Sequence, residues 1–289
     1  MKFYDIISKI IGVRAVCSTQ SRPINVLGVD MKESLDNLIQ EYWKDFVGKE
    51  KADYVIKPAF PIVWFGNIEK YFSSSIKIVT AGLNPGKEFQ EGSCFHSLDY
   101  NEIYENYQTK DLDEKGIELL KSNLNDYFNE CQERYPNNHY FKPFDNILRE
   151  FGSSYFEGLD NVAIHISTQS AIATDPFWNG LVKTLSKEEL KTFVNIELSQ
   201  KLIDLLKPNL IITSVEKKKV ERFMPDFKHI KTFAVSDDLR NGYFMLYRDA
   251  NNRHLINGLY SNTPFGFGKK EWVKETIPEI VRMTKRETD

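Results

Sequence analysis

Cysteine is scarce in this chain: 289 residues hold three, Cys17, Cys94 and Cys131. An odd number at wide spacings excludes a disulfide framework and a four-cysteine metal or iron–sulfur site. The five histidines are equally scattered, so no zinc-ligand spacing arises. There is no Gly-x-x-x-x-Gly-Lys-(Ser/Thr) phosphate loop, no Gly-x-Gly-x-x-Gly fingerprint, no His-Glu-x-x-His pair and no Gly-x-Ser-x-Gly elbow. No apolar run reaches the roughly 18 residues needed to cross a bilayer, and the first residues lack the order of a secretion signal. The expectation is a soluble, cytoplasmic protein. Repeats, low-complexity tracts and long Pro/Gly/Ser linkers are also missing, which leaves one domain with elaborations.

What is present is material for a large core: 41% hydrophobic residues, among them 20 Phe and 14 Tyr. The net charge of -3 argues against a strongly non-specific nucleic-acid binder. Its distribution is uneven, however. Residues 97–135 carry ten acidic and four basic side chains, and residues 201–289 carry 17 basic and 12 acidic ones, so the C-terminal part is the candidate for a basic face.

Helical spacing of Leu35, Leu38, Ile39, Tyr42, Trp43 and Phe46 predicts an amphipathic helix over 31–46. Short β-branched runs at 75–81, 161–166, 209–213 and 231–235 predict buried strands, with helical patterns at 114–131, 144–151, 187–206 and 216–223. A strand near the sheet's edge is expected at 243–247, another at 254–259, and a last helix at 269–284. Strands alternating with helices predict a mainly parallel sheet covered on both faces, a three-layer α/β/α sandwich. Residues 1–56 read as an N-terminal helical extension packed on the core, and 57–289 as the α/β domain, with an acidic, partly helical insertion at about 97–140. Ligands of such sheets bind beyond the carboxyl ends of the strands. The loops to inspect are therefore 82–95, 167–178, 214 onward and 260–268.

The first of these reads Gly82-Leu83-Asn84-Pro85-Gly86, followed by Gly92-Ser93-Cys94-Phe95. Taken alone it is an Asn-Pro turn that exposes one polar side chain at a strand end. In its company, though, the arrangement resembles the uracil-DNA glycosylase superfamily, most of all its mismatch-specific Gly-x-Asn-Pro-Gly branch. The resemblance implies that Asn84 positions a water, that Phe95 stacks on a flipped base, and that Gly82, Leu83 and Gly86 line the base pocket. It also implies that Phe141-Lys142-Pro143-Phe144-Asp145-Asn146-Ile147-Leu148 opens a helix contacting the DNA backbone, Pro143 included. Where efficient uracil-specific relatives have a tyrosine after the proline, this chain has Gly86. That difference implies a pocket open at the 5-position of the base.

The loop after 161–166 places His165, Ser167 and Thr168 where the resemblance implies side chains that read the base, but the family's usual Asn is missing there. A histidine between Ile164 and Ile166 also fits a core framework residue. Asp175, before Pro176, begins a turn or caps a helix. In the last loop Ser261 or Asn262 is the candidate donor to the departing base, Phe265 or Phe267 the wedge that replaces a flipped nucleotide, and Lys269, Lys270 and Lys274 candidate phosphate contacts. Lys217, Lys218 and Lys219 form a second such group.

Breaking an N-glycosidic bond builds oxocarbenium character on the sugar and negative charge on the base, so a protein must place a water and stabilise an anion. An amide orients water through its carbonyl but takes no proton at neutral pH. The expected activity is that of a monofunctional DNA glycosylase for a mismatched or modified pyrimidine: uracil, mismatched thymine or a 5-substituted base. The expected partner is DNA; neither cofactor, metal nor membrane is called for, and the chain is expected to be a monomer. Three alternatives stand beside this reading: a glycosylase of hypermodified cytosine in bacteriophage DNA acting in antiviral defence, a catalytically silent nucleic-acid binding module, and a small-molecule nucleotide enzyme.

Overall fold

The computed structural model describes residues 29–57, 60–86, 103, 106–107, 111–134, 140–156, 158–234, 243–259 and 270–285. The first helix, α1 (Val29–Val47), buries the six apolar residues of the predicted stripe. They join one continuous buried cluster with the residues of the sheet. After α2 (Ile68–Ser73), capped by the Asn67 side chain accepting from Lys70 N at 2.9 Å, comes β1 (Ile78–Gly82), buried at every position. A strand buried on both faces reads as a near-continuous apolar run, and Ile78, Val79 and Ala81 supply it around a hydrogen-bonded Thr80.

The chain continues through α3 (Glu114–Arg134), α4 (Phe141–Glu150), the two-residue strands β2 (Ser153–Ser154) and β3 (Asn161–Val162), and β4 (Ile164–Ser167). Then follow α5 (Trp178–Thr184), α6 (Lys187–Phe193), α7 (Ile196–Leu206), β5 (Leu210–Thr213), α8 (Lys217–Phe223), β6 (Lys228–Ala234), β7 (Tyr243–Arg248), β8 (His254–Leu259) and α9 (Lys270–Lys285). Helix α1 packs on α7 and α3, and α9 packs on α4. The result is a mixed α/β protein around a six-stranded, mostly parallel sheet of order β4-β1-β5-β8-β7-β6.

Three expectations need correction. The single strand expected at 161–166 is two: β3 pairs with β2 in a separate two-stranded sheet, and β4 pairs with β1. The 187–206 helix is two helices: Ser186 and Glu189 form a reciprocal cap that starts α6, and the Asn195 side chain accepts from Leu198 N at 3.3 Å to start α7. A second helix start inside an apolar pattern divides it, because the cap satisfies amide groups that a continuing helix would use. The run 231–235, expected as one of the buried strands of a parallel sheet, contributes its described residues, 231–234, to β6, the antiparallel edge strand beside β7. Only eight residues separate β6 from β7. That is too few for the crossover of a dozen or more residues that parallel neighbours need.

The parallel strands β1, β4, β5 and β8 lie in the order second, first, third, fourth along the chain. The direction of winding therefore reverses between β1 and β5. A crevice opens outside the carboxyl ends of strands at such a reversal. On its β5 side, Asn257 holds the loop: its Oδ1 accepts from Thr213 Oγ1 (2.8 Å) and Val215 N (3.0 Å), and its Nδ2 donates to Val215 O (2.9 Å).

Candidate functional site

Beyond the end of β1 the chain lies along the segment that follows β4. Gly82 is level with Ser167 in the parallel register. Thr168 N donates to Gly82 O at 2.9 Å, Gln169 N to Leu83 O at 2.8 Å, and Thr174 N to Pro85 O at 3.2 Å. The loop 82–86 is thus zipped to 167–174 by backbone bonds. Ser167 and Thr168 are buried and Leu83 packs against the core. Of the base-reading candidates, Thr168 joins this zipper through its N–H, and its carbonyl accepts from Ser199 Oγ of α7 at 2.9 Å.

Asn84 is held by its amide nitrogen. Nδ2 donates to Pro85 O at 2.9 Å and to Thr174 Oγ1 at 2.9 Å. A carbonyl only accepts, so the bond to Pro85 fixes which end of the amide is nitrogen. Thr174 Oγ1 passes its own proton to Pro176 O at 3.0 Å, which makes it an acceptor toward Asn84. The polarity of the chain is determined throughout, and Asn84 Oδ1 points the other way. That oxygen is buried and has no hydrogen-bond partner among the described residues. A buried carbonyl oxygen left unpaired costs about 1–3 kcal/mol.

No protein-family model, curated protein or solved structure matches this chain.

His165, expected both as a base reader and as a framework residue, has the surroundings of the second. It is buried, its Nδ1 shares a 2.8 Å hydrogen bond with Thr80 Oγ1, and its Nε2 shares a 3.3 Å one with the Tyr140 hydroxyl. Thr80 Oγ1 in turn bonds the Tyr155 hydroxyl. The rings of Phe65, Phe141 and Phe144 surround the imidazole at 5.1–5.7 Å. Gly82 is what lets the Tyr140 hydroxyl come so near β1: a Cβ there would collide with it and lie 3.1 Å from His165 Nε2.

Burial holds the His165 pKa down to about 3, from 6.5. The unfolded chain therefore takes up the proton first, and the stability due to the neutral imidazole is complete above pH 6.5 and is lost as the pH falls from there toward 3. Comparing urea unfolding at pH 7.5 and 5.0, the wild-type protein is expected to lose about 2 kcal/mol more than a His165→Gln variant. Equal losses in the two proteins would show that the imidazole is not held neutral.

At Gly86 the resemblance implied open space. The structure fills it: a Cβ at that position would land on the ring of Phe177. The turn expected at Asp175 is present, with a cis Asp175–Pro176 peptide. The helix cap is not Asp175, however, because Phe177 is the N-cap residue of α5 and no side-chain bond closes that end.

Pro143 sits in the first turn of α4, where its missing N–H costs nothing, and the predicted helix opening is observed at Phe141. Lys217, Lys218 and Lys219 open α8 directly after β5, at the carboxyl edge of the sheet. Lys217 lies 3.6 Å from Glu221 and Lys218 3.2 Å from Glu216, both exposed pairs. The Lys219 ammonium rests 5.7 Å from the centre of the Trp178 ring, which brings this lysine group beside the Phe177 loop. Phe95, Ser261, Asn262, Phe265, Phe267 and Lys269 lie outside the described residues. Lys270 begins α9, and Lys274 lies within it.

No group of three or more His, Cys, Asp or Glu able to hold a metal occurs among the described residues. No described helix is long and apolar enough to cross a membrane. Thr174 and Phe177 were not singled out by the sequence reading. Neither belongs to a motif, and the partners that give them meaning lie about 90 positions earlier.

Proposed function

We propose that this protein is a uracil-DNA glycosylase-like enzyme that flips a mismatched or modified pyrimidine out of DNA and hydrolyses its N-glycosidic bond. The observation that carries the proposal is Asn84: a side-chain carbonyl oxygen, buried and unpartnered among the described residues, its direction locked by two bonds from the other end of the same amide. It stands at the carboxyl edge of the sheet beside the reversal of winding, where a ligand crevice is expected.

In this reading Asn84 Oδ1 accepts a hydrogen bond from the attacking water and aims its lone pair at the sugar. An amide has no proton to take at neutral pH, so bond cleavage runs ahead of water attack, and the developing charge on the base needs donors. Ser261 or Asn262 would supply them, with Phe95 stacking on the base and Phe265 or Phe267 filling the gap in the duplex.

The test incubates the protein with labelled oligonucleotides, single- and double-stranded, carrying uracil, a G·T mismatch, 5-hydroxymethyluracil, or 5-hydroxymethylcytosine with and without attached sugar, followed by alkali. Strand breaks that appear only after alkali, and only at one of these bases, are the expected result. Intact strands throughout, from a folded protein, would overturn the proposal.

The lysines at the start of α8 are expected to meet phosphate. Replacing Lys217 and Lys218 with alanine should weaken duplex binding alike for all sequences. The slope of log affinity against log salt should fall by about 0.9 for each phosphate that is no longer neutralised. Fluorescence anisotropy across a salt series reads this directly; an unchanged slope would remove these lysines from the interface.

A further inference from the structure

Gly86 stands two residues beyond Asn84, and its backbone is not in the left-handed region, so conformational freedom does not explain a glycine there. Space does. A Cβ at this position would overlap Cε1 and Cδ1 of Phe177, whose ring lies against the Gly86 backbone along that edge. The ring arrives from the opposite loop, three residues after the hydroxyl that holds the Asn84 amide. Its seat is firm, because Thr174 N is tied to Pro85 O at 3.2 Å, and Phe177 O accepts from Gly180 N (2.7 Å) and Leu181 N (3.0 Å) in the first turn of α5.

Despite that seat, 52% of Phe177 is exposed, more than any other large apolar side chain among the described residues. The core is not what holds this ring in place. Its position is set by the loop pair that also holds the Asn84 amide, and it lies against Gly86, two residues beyond Asn84.

We infer that Phe177 is a specificity-determining residue of this site: its ring is the wall that limits which pyrimidines reach Asn84. The inference rests on the glycosylase reading and narrows it to bases with no substituent, or only a small one, on the edge facing Gly86. A bulkier base either displaces the ring or stops short of the water that Asn84 holds. Space for one or two methylene-sized groups is worth discrimination of about 10- to 200-fold.

The experiment measures kcat/KM for duplexes carrying uracil or 5-hydroxymethyluracil opposite guanine, and takes their ratio. Wild-type protein should favour uracil by about 10-fold or more, and Phe177→Ala should cut that preference by about 10-fold. Gly86→Ala should shift the ratio as well, since its methyl pushes the ring off its seat. Added to Phe177→Ala, the same methyl should change little, because no ring remains to be moved. A ratio unaltered by Phe177→Ala while both bases are excised would overturn the wall and leave the role of Asn84 standing. Excision of neither base, nor of any other in the oligonucleotide panel, by folded wild-type protein would overturn the glycosylase reading and the wall with it.

Discussion

Asn84→Ala is expected to lower the single-turnover rate of base release by about 10²- to 10⁴-fold, the range for removing a positioned group from the reacting water. The fold should survive, since the side chain is only half-buried and the loop around it is held by the backbone bonds of Gly82, Leu83 and Pro85. The two effects separate cleanly in one preparation: alkali-labile sites vanish while the unfolding midpoint moves little. An alanine variant that releases base at the wild-type rate would remove Asn84 from the mechanism.

Asn84→Asp should not improve on the wild type. Its second carboxylate oxygen would replace Nδ2, 2.9 Å from Pro85 O, where two acceptors would face each other. Only the protonated acid restores that bond. The aspartate pKa is then raised in the folded state, and the stability of this variant relative to wild type should rise as the pH falls.

The largest loss of stability is expected from Phe141→Ala, about 3–5 kcal/mol. Phe141 is 1% exposed, and its ring lies 4.8 Å from Phe128, 5.1 Å from Tyr140 and His165, and 5.4 Å from Phe65 and Tyr155. Truncation removes a large buried surface and leaves a cavity walled by rings that are fixed by α3, α4 and β4 and cannot all move inward. Against a domain stability of about 5–15 kcal/mol this is a large share. Urea unfolding measures it, and a loss below about 1 kcal/mol would mean that the cluster relaxes around the gap. Base release by the variant should also fall, because Tyr140 and His165 lean on this ring beside Gly82.

Much of the architecture is legible in the order of residues. The α1 stripe is buried as its spacing predicts, and β1, β5, β7 and β8 fall within a few residues of their apolar runs. Both readings follow from side-chain period alone, which is a local property. The boundary within 187–206 is harder, because Asn195 and Ser186 are ordinary polar residues until a chain end needs them as caps. The orientation of β6 depends on its partner and on the length of the link to β7, neither of which is a property of the run itself.

The candidate site divides in the same way. Gly82-Leu83-Asn84-Pro85-Gly86 announces a turn that presents an amide at a strand end, and that much belongs to the residues in order. The Pro85 carbonyl fixes which end of the amide is nitrogen, and the second N–H goes to the Thr174 hydroxyl, 2.9 Å away across 90 residues of chain. Gly86 promised open space, and Phe177 occupies it. His165 was open to two readings, and the ring cluster around it gives it the surroundings of a framework residue.

The sequence by itself determined most of the elements, their buried faces and the position of one amide at a strand end, because backbone propensity and hydrophobic period act over a few residues. The tertiary structure alone decided the strand order, the direction of the Asn84 carbonyl and the ring that stands against Gly86. Those depend on groups brought together only when the core closes, in pairings that no spacing along the chain encodes.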